Sequence, residues 1–171
     1  MAATKGFFLG KKYDLAQGKL LDEPVVYDPT HLTTHAIIMG MTGSGKTGLG
    51  VDLLEEAALH GIPAIIIDPK GDLGNLMLHF PDFEAEKFEP WVDPDAARRA
   101  GKSLPEFAAE TAAKWRDGLA GWGMGKDNIL ALDAAVDYTI FTPGSTVGEP
   151  INIMASFEAP TDWEMNKEVA R

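Results

Sequence analysis

Residues 35–60 place an apolar run, a glycine-rich loop and an amphipathic helix in immediate succession. The apolar run is His35-Ala36-Ile37-Ile38-Met39, which reads as a short buried strand. The loop is Gly40-Met41-Thr42-Gly43-Ser44-Gly45-Lys46-Thr47, followed by Gly48. It fits the pattern G-x-x-x-x-G-K-[ST] in the strand–loop–helix setting that the pattern requires. Leu49, Leu53, Leu54, Ala57 and Ala58 then recur at helical spacing. From average residue usage, a chance match in a chain of this length is on the order of one in a hundred or less. A glycine-rich turn that merely caps a helix accounts for the glycines, but not for Gly-Lys-Thr together.

Each residue type has a physical task. Gly40, Gly43 and Gly45 let the backbone reach positive φ and approach an anion closely. Successive N–H groups form a concave nest, and the helix N-terminus adds partial positive charge. Lys46 offers an ammonium to the β- and γ-phosphates of a nucleotide, and Thr47 a hydroxyl to Mg²⁺. Gly40, Met41, Thr42, Gly43, Ser44, Gly45, Lys46, Thr47 and Gly48 are therefore the expected residues for binding a nucleoside triphosphate.

The helix should end near His60, with Gly61 at C′ and Pro63 beyond. Its Glu55 and Glu56 read as a solvated face. Ile62-Pro63-Ala64-Ile65-Ile66-Ile67 is a second apolar run. Two such runs around a helix predict a βαβ unit with parallel strands buried on both faces. The second run ends in Asp68-Pro69-Lys70-Gly71-Asp72, which has the composition of a type I turn. A carboxylate at that end of a strand is also placed to meet Mg²⁺ or an attacking water. Both readings of Asp68 stand: turn former, or low-ranking catalytic and metal-side acid beside Lys46. Lys70 reads as turn filling or a phosphate contact.

Elsewhere the punctuation is local. Phe7-Phe8-Leu9 and Leu20-Leu21 flank a polar turn at Gln17-Gly18, and Pro24-Val25-Val26-Tyr27 precedes the Asp28-Pro29 break. Residues 81–136 read as helical: a short helix from Pro94 to Gly101, a longer one opened by the capping box Ser103-Leu104-Pro105-Glu106, and a third near Asn128–Ala135. Leu104, Phe107, Ala108, Thr111, Ala112, Trp115, Leu119 and Trp122 share a face, read as core packing and not as a base-stacking platform. Tyr138–Phe141 is predicted as a third strand, Thr142-Pro143-Gly144 as a turn, residues 150–154 as a further extended piece, and a helix from Trp163.

The 171 residues suffice for one domain with a core. There is no cysteine, which excludes disulfides and thiolate metal sites. No signal peptide and no membrane-length apolar run is legible, so a cytoplasmic protein is expected. The net charge of −11 supplies no clustered basic surface for nucleic acid. His31 and His35 lie four apart, but the Asp28-Pro29 break disfavours a shared helix, and no histidine belongs to a metal motif.

Residues 34–47 together with Ile65-Ile66-Ile67-Asp68-Pro69-Lys70-Gly71-Asp72 resemble the HerA/FtsK superfamily of P-loop ATPases, closest to large bacterial ATP-binding proteins with a HerA-type core. Phe8-Leu9-Gly10, Pro24–Asp28, Phe141-Thr142-Pro143-Gly144-Ser145 and Ile151–Met154 are similar to other segments of that family. The resemblance implies an α/β fold: a RecA/HerA-like P-loop NTPase with a parallel sheet and flanking helices. It also implies Mg-ATP binding, self-association into a ring, and DNA or protein as the translocated cargo. On it, residues 1–30 are a small β lead-in, residues 31–171 a partial ATPase domain, and residues 81–136 a helical insert. The family's Asp-Glu acid pair, sensor and arginine finger find no match, and are expected beyond Arg171. ATPase activity is expected of the full-length protein, while the isolated chain is expected to bind nucleotide more readily than to turn it over. Two alternatives stay open: a nucleotide-binding regulatory or assembly module, and a small-molecule kinase, for which Arg98-Arg99 is the sole lid candidate.

Overall fold

The computed structural model describes residues 6–152. The expected helix from Trp163, and Ile153 and Met154, lie outside them. The chain divides into two compact units, the first ending at Val136 and the second starting at Asp137.

In the first unit, β1 (Phe7–Asp14) and β2 (Lys19–Tyr27) form an antiparallel hairpin, pairing Phe7 with Tyr27 and Asp14 with Lys19. Asp14 Oδ1 accepts the N–H groups of Ala16 and Gln17, at 2.8 and 3.0 Å, and closes the turn. The Leu20-Leu21 and Pro24–Tyr27 pieces are thus one strand. Irregular register beside Gly10, at φ 126°, lets it continue. Asp28 then caps a 3-10 turn over Pro29–Thr33 by accepting the Thr30 N–H at 2.9 Å.

Helix α1 spans Lys46–Leu59. Gly61, at φ 68°, donates to the Ala58 carbonyl and Ile62 to the Ala57 carbonyl, both at 2.9 Å. This is the Schellman closure expected from Gly61 and Pro63. Its Glu55 and Glu56 depart from expectation. Both are partly buried, because α1 packs against β1 and against α5 (Lys126–Ala135) and turns that face inward.

The expected parallel sheet is not assembled among the described residues. Residues 35–41 and 62–68 belong to no strand. Ile37, Met39, Ile65 and Ile67 are 78, 80, 97 and 89% exposed, while Ile38 and Ile66 are 38 and 39% exposed. Each run therefore has one half-covered face and one bare face. Strand identity needs a ladder partner, and apolar sequence alone does not provide one.

The helical segment follows its local signals. A 3-10 turn over Gly74–Met77 buries Leu76. Then come α2 (Ala85–Phe88), α3 (Pro94–Arg99) and α4 (Leu104–Gly121). The Ser103 N–H and hydroxyl both donate to Glu106 Oε2, at 2.9 and 2.6 Å, completing the expected capping box. Phe88, Ala108 and Ala112 form a small core, with Phe80, Phe83 and Val92 against it. Phe83 sits at φ 51°, an unusual conformation for a bulky residue. The α4 stripe is core only over its first half. Trp115 is 59% exposed, and Trp122 lies 5.9 Å beneath the Lys11 ammonium. No helix among the described residues is long and apolar enough to cross a membrane.

In the second unit, β3 (Phe141–Pro143) pairs in parallel with β4 (Glu149–Ile151). The expected Tyr138–Phe141 strand is thus displaced toward Pro143. Thr142 Oγ1 organises the intervening loop, donating to the Ser145 carbonyl at 3.0 Å and accepting the Gly148 N–H at 3.2 Å. Gly148 is required there: a Cβ would lie 2.6 Å from the Ile140 carbonyl oxygen.

Candidate functional site: the glycine loop before α1

The segment Gly40–Gly48 turns on two left-handed glycines, Gly43 at φ 78° and Gly45 at φ 90°. Gly45 is the N-cap of α1, with no side chain capping the helix. The first intrahelical bond runs from the Leu49 N–H to the Gly45 carbonyl at 2.9 Å. The N–H groups of Lys46, Thr47 and Gly48 therefore precede the hydrogen-bond ladder and point out of the helix end. This is the geometry of an anion cradle.

Two contacts shape the loop from within. The Ser44 N–H donates to the Met41 carbonyl at 3.2 Å, and Lys46 Nζ donates to the same carbonyl at 2.6 Å. Gly40 lies directly under Ser44: a Cβ there would come within 2.4 Å of Ser44 Oγ. A loop turned by two left-handed glycines, with a lysine ammonium and free helix-end N–H groups, fits a phosphate chain. Thr47 sits at the second helical position, exposed, where its hydroxyl can serve a cation held by phosphate oxygens.

Asp68 is placed differently. Its Oδ1 accepts the Gly71 N–H and its Oδ2 the Leu73 N–H, both at 2.9 Å. The Leu73 bond foremost, with bonds from Gly71, Asp72 and Lys70, holds its carboxyl below the usual range against a smaller opposing effect of burial. Gly71, at φ 73°, makes the turn possible. Lys70 pairs with Asp72 at 3.1 Å. No hydrogen bond or ion pair among the described residues joins Asp68 to Gly40–Gly48. The structure brings the nine loop residues together and leaves Asp68 serving its own turn. No group of three or more acidic, histidine or cysteine side chains suited to a metal occurs among the described residues.

Reading the sequence alone missed the inward acidic face of α1. Glu56 Oε2 accepts the Phe8 N–H at 2.8 Å, across 48 positions of sequence. The signal available was weak: Asp52, Glu55 and Glu56 share one helical face, a spacing that does not say which way the face turns.

A glycine loop with two left-handed turns, a buttressed lysine and a helix opening at that lysine define the class: a P-loop protein of mixed α/β structure. Residues 16–102 match the family described as the central domain of the helicase HerA, slightly more than half of the 171 residues, and the chain belongs to that family. The match runs from the hairpin turn through the P-loop, α1 and the Asp68 turn to α3. No curated protein and no solved structure matches the chain.

Proposed function

We propose that the chain binds Mg-ATP through Gly40, Met41, Thr42, Gly43, Ser44, Gly45, Lys46, Thr47 and Gly48, as the nucleotide-binding part of a HerA-like ATPase. The observation that carries this is the cradle itself: Gly43 and Gly45 left-handed, Gly40 packed under the Ser44 hydroxyl, and Lys46 drawn back over the loop. Lys46, now on the Met41 carbonyl, would hold the phosphates of a bound nucleotide, and Thr47 would offer its hydroxyl to Mg²⁺. Bound Mg²⁺ supplies charge neutralisation on the phosphates. The runs 35–39 and 62–67, each bare on one face, fit a RecA-like parallel sheet with residues 81–136 as a helical addition. Residues 1–30 form the β lead-in. Self-association into a ring and translocation of DNA or protein are part of this reading, supported by the family match; with a net charge of −11, any DNA contact lies in a small local patch, on another subunit or outside this chain.

Equilibrium binding of ATP and Mg²⁺ to the full chain, with Lys46→Ala beside it, tests the reading. Loss of a charge-assisted contact should weaken binding about 10- to 100-fold. Equal affinity of the two proteins would sink it.

A second reading, a nucleotide-binding module without efficient hydrolysis, is favoured by Asp68, whose two oxygens serve the backbone of its own turn. Single-turnover hydrolysis separates the two: rapid cleavage by the chain alone eliminates the binding-only role.

A further inference from the structure

Both flanks of the glycine loop are tied to one spot on β1. On the upstream flank, Phe7 pairs with Tyr27 and Phe8 with Val26 at the open end of the hairpin. The fit there is close: a Cβ on the buried Gly6 would lie 2.6 Å from the Tyr27 carbonyl oxygen and 2.8 Å from Val26 Cγ1. The chain leaves this end in ordered form. The Tyr27 and His31 rings meet edge to face with centres 5.7 Å apart, and Asp28 caps the 3-10 turn. On the downstream flank, Glu56 Oε2 accepts the Phe8 N–H at 2.8 Å, and the Glu56 side chain is 15% exposed. Beside it the His60 ring packs on Phe7, which is 1% exposed, with ring centres 5.1 Å apart. Residues 27–55 carry the whole of Gly40–Gly48, and their two ends meet at Phe8. Val26 reaches it through strand pairing and Glu56 through the hydrogen bond.

We propose that Glu56 is a positioning residue for the nucleotide site: its clasp on the Phe8 amide ties the P-loop helix to the hairpin and sets the loop between them before nucleotide arrives. The proposal rests on the nucleotide-binding reading above. Lys46 opens α1, and Glu56 lies about 15 Å further along the same helix, so it acts on the cradle through the helix and not by touching phosphate. An intact helix moves as a rod, and fixing it at Glu56 limits how the N–H groups of Lys46, Thr47 and Gly48 can tilt. Bringing together the ends of a segment this long costs chain entropy. The clasp holds those ends together in the free protein, and nucleotide then meets a loop with less freedom left to lose. The coupling is reciprocal. Whatever factor the clasp adds to nucleotide affinity, bound nucleotide adds to closure of the clasp. The partner of Glu56 is a neutral backbone N–H, so the contact needs an acceptor oxygen and not a charge. Gln supplies that oxygen and Ala does not.

Two measurements on the full chain test this: ATP affinity in the presence of Mg²⁺, and hydrogen exchange at the Phe8 amide, both taken well below the melting temperature of every variant. Glu56→Ala should bind ATP about 5- to 10-fold more weakly than the wild type, and Glu56→Gln should return close to the wild-type value. Saturating Mg-ATP should slow Phe8 exchange in the wild type by a similar factor. Ser103→Ala, which weakens the fold at the cap of α4, should keep wild-type affinity, so that lower stability by itself does not imitate the effect.

Wild-type affinity in Glu56→Ala overturns the proposal and leaves nucleotide binding standing. So does a Phe8 amide whose exchange ignores Mg-ATP, or an equal loss in the Ala and Gln variants. Should Glu56→Ala fail to fold, Phe8 exchange in the wild type decides by itself. A wild type that binds no ATP overturns the nucleotide reading and the positioning role together, an outcome distinct from each of the others.

Discussion

Gly40 and Ser44 are so close that a Cβ on Gly40 would lie 2.4 Å from Ser44 Oγ. The next atoms it would meet, Ser44 Cβ and Lys46 Cγ, are 3.4 Å away. A side chain at position 40 would thus meet one hydroxyl, which must rotate away to admit it. Gly40→Ala should weaken ATP binding by displacing Ser44 and the lysine beyond it. Gly40→Ala/Ser44→Ala should recover part of the loss, because the clashing oxygen is gone. A double-mutant cycle on ATP affinity measures the coupling, expected at ~0.5–3 kcal/mol for residues in contact. Strict additivity would show that the two residues act independently.

Gly61 ends α1 at φ 68° and donates to the Ala58 carbonyl. A Cβ at Gly61 meets nothing within 4 Å, so the penalty for Gly61→Ala is conformational and not steric. It should cost about 1–2 kcal/mol and lower the melting temperature by a few degrees. Chemical denaturation with an unchanged m-value would identify a loss of stability without a change in the surface exposed on unfolding.

Ser103→Ala removes the hydroxyl that donates to Glu106 at 2.6 Å. The melting temperature should fall by ~2–4 °C, the ordinary cost of an N-cap. The hydrogen bonds from the Ser103 hydroxyl and then its N–H hold Glu106 below its usual value. Its stabilising effect is present above the unfolded carboxyl value and is lost as pH falls through the folded one. The wild-type advantage over Ser103→Ala should therefore narrow in acid, as melting curves below about pH 5 can check.

Asp68 separates structure from chemistry by substitution. Asn keeps one oxygen for the Gly71–Leu73 turn, and Ala keeps none. If Asp68 serves only the turn, Asp68→Asn should retain most stability and all Mg²⁺-dependent ATP affinity, while Asp68→Ala loses stability. If it holds metal, Asp68→Asn should abolish the Mg²⁺ dependence while melting near the wild type. Binding titrations with and without Mg²⁺, read beside melting curves, distinguish the two.

Much of the fold was legible because its signals act within a single turn of chain. Gly61 and Pro63 marked the end of α1, Ser103 and Glu106 the start of α4, and Gln17-Gly18 the hairpin reversal, each through hydrogen bonds reaching no more than a few residues. The P-loop was legible for the same reason, since Gly43, Gly45 and Lys46 create the cradle from contiguous backbone. Where partners come from far along the chain, the reading was incomplete. Glu56 looked solvated because nothing near it in sequence announces the Phe8 N–H. Trp115 looked like core because helical spacing describes a face and not what covers it.

The loop Gly40–Gly48, the caps of α1 and α4 and the turn at Asp68 follow from the order of residues alone, since glycine dihedrals and short hydrogen bonds need no distant partner. Folding in three dimensions settled which side of α1 faces inward, which half of the α4 stripe is covered, and whether the runs 35–39 and 62–67 join a ladder. Those outcomes depend on burial and pairing between segments remote in sequence, and an apolar pattern states a need for such partners without naming them.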